Sequence, residues 1–331
     1  MIRVIQYGLG PIGSAVAREV LQRKNLQLVG AVDIDEKKVG RNIGEVIGAD
    51  AASGCPAIPV EASLEAALKH TAADLVLHTT SSFFDRFTPQ ILEILEAGLD
   101  VVSSSEELSF PWLKHAAEAE VIHAAALKAG KTALGTGVNP GFLMDTLPIA
   151  LTGLCLSVDH ISVERVINAS RRRGPFQAKI GSGLTPDQFT EGMATGRMGH
   201  IGLPESTSMI FDTFGRTLGR TTGGIRPVIA KTRTTTDYFD VAPGNVIGLD
   251  QDYHAFEGET EFLSLRFIAA LDAENEGDHI KIRGVPNLTI DLQGTNGDKA
   301  TVAILVNAAR RVTEAPAGLV TMRDLPVVYC G

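Results

Sequence analysis

The chain has 331 residues, 44% of them hydrophobic and 21% charged, with a formal net charge of −9. At roughly 100–200 residues per domain this length gives about two domains with a sizeable core, and the acidic balance excludes nucleic acid and anionic membrane as main partners, since both need a basic face. No apolar run reaches the roughly 18 residues of a membrane span, and three scattered cysteines (Cys55, Cys155, Cys330) with no C-x-x-C spacing exclude a metal cluster or disulfide framework.

The opening "MIRVIQYGLG" enters a strand pattern directly, which reads as the start of a domain and not as a signal peptide. Residues 3–8 form the first strand. The helix 11–24 follows, with Ile12, Val16, Val20 and Leu21 on one face and Pro11 in its first turn, where a missing N–H costs nothing. Strands are expected at 28–33, 74–80, 100–105 and 131–137. Helices are expected at 63–70 with Ser63 as cap, at 88–98 with Thr88 as cap and Pro89 first, and at 111–130. Strand–helix alternation with continuous apolar strands predicts a parallel sheet covered on both faces.

The second half changes character. Segments 159–170, 226–241, 245–257, 260–273 and 287–294 alternate as strands of a largely antiparallel sheet, interrupted by helices near 186–197 and 204–219. A last helix at 298–312 carries Val302, Leu305, Val306 and Ala309 at core spacing. The expected fold class is therefore α/β: a Rossmann-type doubly wound parallel sheet, with a second α+β domain on a largely antiparallel sheet. The expected boundaries are 1–145 for the dinucleotide-binding domain and 146–297 for a substrate and dimerisation domain. Residues 298–331 form a C-terminal helix and tail that return to the first domain.

Ligands of doubly wound sheets bind beyond the carboxyl ends of the strands. There "YGLGPIG" supplies G-x-G-x-x-G at Gly8, Gly10 and Gly13, between a strand and a helix. Glycines in this context permit a tight turn and close approach of backbone to a pyrophosphate, with Pro11 and Ile12 at the helix N-terminus that receives it. Asp33 ends the second strand about twenty residues after Gly13, where an acid hydrogen-bonds an adenosine ribose. It favours NAD(H); Lys37, Lys38 and Arg41 just beyond keep NADP(H) as the alternative. Thr79, Thr80 and Ser104 lie at the ends of the next strands and are further cofactor candidates.

"VVSSSEELSFPW" (101–112) sends a strand into two adjacent carboxylates, Glu106 and Glu107, near where a nicotinamide would react. Hydride transfer needs no carboxylate. A cationic amine or iminium does, for charge and for proton transfer at nitrogen. The competing explanation is a bias of a helix's first turn by acids. Glu106 is the preferred catalytic residue, being closer to the strand end, and Glu107 the second choice. The rigid "GTGVNPGFLMD" (135–145) offers Asn139 as a hydrogen-bonding group, with Phe142 and Met144 as an apolar wall. "SRRRGPFQAKIG" (170–181) carries Arg171, Arg172, Arg173 and Lys179, as an acidic substrate would need or as an exposed loop would tolerate.

Together "QYGLGPIG", "VVSSSEELSFPW", "GTGVNPGFLMD", "RRRGPFQAKIG" and "GDKATVAILVNAARRV" resemble the native amine dehydrogenases, relatives of 2,4-diaminopentanoate dehydrogenase in the broader dihydrodipicolinate-reductase-like group. The resemblance implies NAD(P)H-dependent reductive amination of small ketones or aldehydes with ammonia, and the reverse deamination of amines. It implies a glutamate of the Glu-Glu stretch serving the amine, a cytoplasmic homodimer joined through the second domain, and Thr301 of the last helix lining the pocket. The alternative within the same group is reduction of a cyclic imine or aldehyde in amino-acid metabolism. The chain lacks the H-H-x-x-x-K-type stretch of dihydrodipicolinate reductase proper, which weakens that assignment.

Overall fold

The computed structural model describes residues 1–49, 55–194 and 198–331. The chain divides into two compact units, Met1–Phe142 with Asn296–Gly331, and Leu143–Thr295.

The first unit alternates β1 (Ile2–Tyr7), α1 (Pro11–Leu21), β2 (Leu26–Val32), α2 (Ile43–Ile47), β3 (Val60–Glu61), α3 (Leu64–Leu68), β4 (Leu75–His78), α4 (Phe84–Glu96), β5 (Asp100–Ser103), α5 (Ala116–Ala129) and β6 (Thr132–Gly135). Ser63 caps α3 by accepting the Ala66 N–H at 3.2 Å. Two helices depart from the sequence expectation. Helix α4 begins four residues before Thr88 and carries Pro89 inside it. Its apolar stripe, Phe84, Phe87, Ile91, Ile94 and Leu95, starts at the true N-terminus, and the acceptor for its first N–H comes from a distant residue that local reading cannot see. The stretch 111–130 is not one helix. Pro111–Leu113 forms a 3-10 turn, the backbone breaks at His115, and α5 starts at Ala116.

The second unit contains α6 (Thr146–Leu151), β7 (Ser157–Asn168), α7 (Gly174–Lys179), α8 (Pro186–Ala194), α9 (Leu203–Thr213), β8 (Thr221–Ile229), β9 (Thr234–Thr235), β10 (Asp240–Val241), β11 (Val246–Glu257), β12 (Thr260–Ala270), β13 (Gly277–Val285) and β14 (Leu288–Leu292). Residues 195–197 of the helix expected near 186–197 lie outside the described residues. The six-stranded sheet runs β14-β13-β7-β12-β11-β8 and is antiparallel except for β7 with β12. The segment expected as one strand over 226–241 is β8 followed by the two short strands β9 and β10. Strand β13 was not expected, although Ile280 and Ile282 are buried and alternate with Lys281 and Arg283. At its start Asp278 pairs with Arg165 of β7 at 2.5 Å, both almost fully buried.

The chain then returns to the first unit with α10 (Gly297–Thr313) and β15 (Gly318–Val320). Its sheet is wholly parallel among the described residues, in the order β15-β6-β5-β4-β1-β2-β3. Residues of α1, α2 and α10 cover one face, including Val16, Val20, Ile43, Leu305 and Val312. Residues of α3, α4 and α5 cover the other, including Leu64, Phe87, Ile91 and Ile122. The sequence order of neighbouring strands reverses between β1 and β4. The crevice beyond their carboxyl ends is where such sheets bind ligands.

Candidate active site

The loop from β1 to α1 is shaped by close backbone contacts. Gly8 has φ +90°, and a Cβ there would lie 2.6 Å from Thr79 O. A Cβ on Gly13 would lie 1.9 Å from Gly8 O, so only glycine lets the helix start pack on the turn. Gly10 is different: nothing lies within 4 Å of its Cβ position. It precedes α1, whose first turn has neither a capping side chain nor an acid. Open space before an uncapped helix N-terminus fits a dinucleotide pyrophosphate.

Pro11 is exposed at the lip of this space, and Ile12 packs its side chain on the core. Thr79 donates its hydroxyl to Gly8 O at 2.9 Å. Gln6, fully buried, donates its amide to the same carbonyl at 2.9 Å and to Thr79 Oγ1 at 2.8 Å. Sequence reading missed Gln6. Its signal is a polar residue inside an otherwise apolar strand, which requires internal partners.

Asp33 follows β2 and is 8% exposed. Its Oδ2 accepts the Leu9 N–H at 2.7 Å and its Oδ1 the Asp35 N–H at 2.8 Å. Lys38 Nζ lies 3.0 Å from Asp33 Oδ2. Burial alone would push this carboxyl up, but the two N–H groups and the ammonium together hold it below the ordinary aspartate value.

At the ends of β4 and β5 a polar chain runs through the protein. His78 is fully buried, with Nδ1 2.8 Å from Ser103 Oγ and Nε2 2.8 Å from Gln90 Oε1. Thr80 also donates to Gln90 Oε1, at 2.7 Å. Burial pushes the imidazole pKa down to about 4, only partly opposed by Gln90, so the ring is neutral at pH 7. Because Gln90 Oε1 can only accept, it takes the Nε2–H, while the Ser103 hydroxyl donates to Ser105 Oγ at 2.9 Å. Ser105, 2% exposed, donates its N–H to Ser103 Oγ at 3.1 Å and its hydroxyl to Ser81 O at 2.6 Å. Ser103 and Ser105 are thus committed to structure. Ser104 is half-buried, ties its N–H to His78 O at 3.0 Å, and engages no protein group with its hydroxyl among the described residues.

This frame delivers the chain to Glu106 and Glu107, in a 3-10 turn over Glu106–Leu108. Glu107 Oε2 accepts the Phe84 N–H at 2.7 Å and lies 3.8 Å from His115 Nε2. His115 in turn stacks on Phe84 with ring centroids 4.3 Å apart. Glu107 therefore caps α4. Glu106 is half-buried, and its carboxylate has no hydrogen-bond or ion-pair partner among the described residues. The turn lies directly on β6: a Cβ on Gly135 would meet the Leu108 carbonyl carbon at 2.4 Å.

Beyond β6 the loop folds back on itself. Gly141 has φ +118°, and a Cβ there would meet Gly137 N at 2.5 Å and Thr136 Oγ1 at 2.7 Å. The Asn139–Pro140 peptide is cis, and Asn139 is 7% exposed. Thr136 Oγ1 is buried without a hydrogen-bond partner among the described residues. Thr301 of α10 accepts the Val138 N–H at 3.3 Å, which joins the last helix to this loop. Phe142 packs half-buried on the cluster that contains Val302 and Leu305.

Met144, expected beside Phe142 as a pocket wall, is instead fully buried in the second unit's core with Ile161, Leu203 and Phe211. Two residues further along the chain have carried it into a different cluster. Asp145 caps α6 through the Thr146 N–H at 2.5 Å. In the basic stretch, Arg172 lies over the Phe176 ring at 4.5 Å, and buried Gln177 donates to Ser170 O and Arg172 O. That stretch is a stapled turn into the short helix α7, where a wholly exposed loop was the simpler expectation.

The family described as "2,4-diaminopentanoate dehydrogenase C-terminal domain" matches residues 142–330. The 2,4-diaminopentanoate dehydrogenase of Acetoanaerobium sticklandii is 31% identical, over 98% of this chain and 94% of that protein. An amine dehydrogenase of Streptomyces virginiae is 22% identical, over 99% and 97%. The structure of an amine dehydrogenase from Mycobacterium smegmatis superposes with a TM-score of 0.86 at 25% identity, covering 100% of this chain and 97% of that one.

Proposed function

We propose, for a chain that belongs to the 2,4-diaminopentanoate dehydrogenase family, that it is an NAD(P)-dependent amine dehydrogenase in which Glu106 is the catalytic acid–base. It acts on the C–N bond of small amines, and in reverse on ketones or aldehydes with ammonia. The observation that carries this reading is the division of labour in the glutamate pair. Glu107 is committed to α4, while the Glu106 carboxylate has no hydrogen-bond or ion-pair partner among the described residues.

Gly8, Gly10 and Gly13 with the start of α1 would hold the pyrophosphate, Asp33 the adenosine ribose, and Ser104 and Asn139 are candidates at the nicotinamide end. A bound nicotinamide would supply or accept the hydride at the C–N carbon. Glu106 takes a proton from ammonium to free the nucleophilic amine, and returns it as the carbinolamine hydroxyl leaves as water. As a carboxylate it then balances the positive charge of the iminium. Its place one residue past the polar frame at the end of β5 supports this role. Phe142 and Thr301 supply apolar and hydroxyl surface for substrate.

We assign residues 1–145 to cofactor binding, 146–297 to substrate selection and subunit association, and 298–331 to completing the first domain. The separation of the chain into two units supports this assignment. Subunits pair as a homodimer through the second domain, in the cytoplasm. No described helix is long and apolar enough to cross a membrane.

The test is Glu106→Gln. Its amination rate falls by roughly two to four orders of magnitude, the usual worth of a positioned acid–base, while nucleotide still binds. Full amination rate in this variant overturns the role.

A further inference from the structure

We infer that Lys38 determines nucleotide selectivity: it pairs with Asp33 when the site holds NAD(H), and turns to the 2′-phosphate when it holds NADP(H). The inference rests on the cofactor reading above and deepens it.

Asp33 does not need Lys38 to hold its position. The Leu9 and Asp35 N–H groups fix one carboxylate oxygen each, at 2.7 and 2.8 Å. Those donors also keep the carboxylate ionised, and by itself a fixed negative charge at a ribose site rejects a phosphate. Among the described residues Oδ1 accepts the Asp35 N–H alone, so it retains capacity for a ribose hydroxyl without displacing the lysine. The NAD(H) arrangement is therefore compatible with the ion pair as it stands.

Lys38 is built to move. Its side chain is 25% exposed, and its ammonium sits between two carboxylates, 3.0 Å from Asp33 Oδ2 and 3.6 Å from Asp35 Oδ2. An ammonium on a flexible four-carbon stem can exchange one oxygen partner for another, and partly exposed ion pairs are weak enough to allow it. A 2′-phosphate carries more charge than either carboxylate and offers more acceptor oxygens. The neighbouring cations are placed differently. Arg41 is paired with Glu45 at 3.3 Å, and Lys37 is exposed and shows no bond to Asp33. Among the described residues, Lys38 is the cation that contacts the ribose-binding acid.

The experiment is equilibrium binding of NAD+ and NADP+ to the full chain by calorimetry, for wild type, Lys38→Ala and Lys38→Arg. Wild type binds both, NAD+ more tightly. Lys38→Ala raises the ratio of NADP+ to NAD+ dissociation constants by about tenfold, the scale of one charge-assisted contact, and Lys38→Arg restores most of it. Added salt weakens NADP+ binding more than NAD+ binding in wild type, and this difference shrinks in Lys38→Ala. A ratio unchanged by Lys38→Ala, or parallel weakening of both nucleotides, overturns the inference while leaving the cofactor reading intact. Wild type that binds NAD+ but no NADP+ does the same. Wild type that binds neither overturns the cofactor reading and this inference with it.

Discussion

Glu107 Oε2 accepts the backbone N–H of Phe84 at 2.7 Å, across 23 residues of sequence. That bond gives two adjacent, chemically identical carboxylates different work. Glu107 satisfies the first N–H of α4, whose own N-cap residue, Phe83, offers no side-chain acceptor. Glu106 has no such engagement, and its charge stays available to a ligand.

The first prediction separates the pair by stability. Glu107→Ala removes a helix cap and lowers unfolding free energy by about 1 kcal/mol. Glu106→Ala, which removes a carboxylate with no hydrogen-bond or ion-pair partner among the described residues, stays within about 0.5 kcal/mol of wild type. Urea denaturation checks both, and the reverse ranking would show that the capping assignment is wrong.

The second concerns two glycines of one motif. A methyl at Gly13 collides with backbone at 1.9 Å, whereas a methyl at Gly10 meets nothing within 4 Å. Gly13→Ala is therefore expected to lose several kcal/mol, about the cost of overpacking or more. Gly10→Ala should melt like wild type yet bind dinucleotide at least about tenfold more weakly, because the methyl enters space the pyrophosphate requires. Thermal melts with and without nucleotide distinguish the two. A Gly10→Ala chain with undiminished affinity would place the pyrophosphate elsewhere.

The third is a pH dependence. The folded chain holds His78 neutral down to about pH 4, whereas the unfolded chain protonates it near 6.5. Between those values the unfolded state binds more protons, so stability is fully present above pH 6.5 and is lost as pH falls toward 4. The gap is worth at most roughly 3 kcal/mol. His200, pushed down to about 3 by burial and then by Lys179 and Arg165, acts in the same direction. His78→Gln should flatten part of the decline measured by denaturation from pH 7 to 4.5. A variant with an undiminished slope would remove His78 from the explanation.

The fourth addresses the second unit. Arg165 and Asp278 are paired at 2.5 Å with side chains 3% and 2% exposed. Asp278→Ala strands a buried guanidinium and should cost about 3–5 kcal/mol, whereas replacing both partners with apolar residues should cost much less. A double-mutant cycle with purely additive losses would contradict this.

Much of the fold was legible because its signals are local. Continuous apolar strands separated by amphipathic helices demand a covered parallel sheet, and the glycine turn and Asp33 stand at strand ends because the periodicity puts them there. What local reading misplaced had distant causes. Helix α4 starts at Phe84, ahead of Pro89, because the acceptor for its first N–H arrives from Glu107. Met144 joins a different core from Phe142, two residues before it, because the chain leaves one hydrophobic cluster for another within that step. Gln6 and His78 sit in apolar strands, yet each finds its partners elsewhere: Gln6 on the loops that follow β1 and β4, His78 on β5 and on Gln90 of α4.

From its sequence alone this protein was a two-part α/β dehydrogenase of the amine-acting kind, with a dinucleotide turn and a carboxylate pair beside it. Periodicity and motif spacing are properties of the chain itself. Which carboxylate lacks a partner among the described residues was decided only by tertiary structure, as was the lysine that sits on Asp33. Both depend on where N–H groups and ammonium ions far along the chain, or across a turn, come to rest.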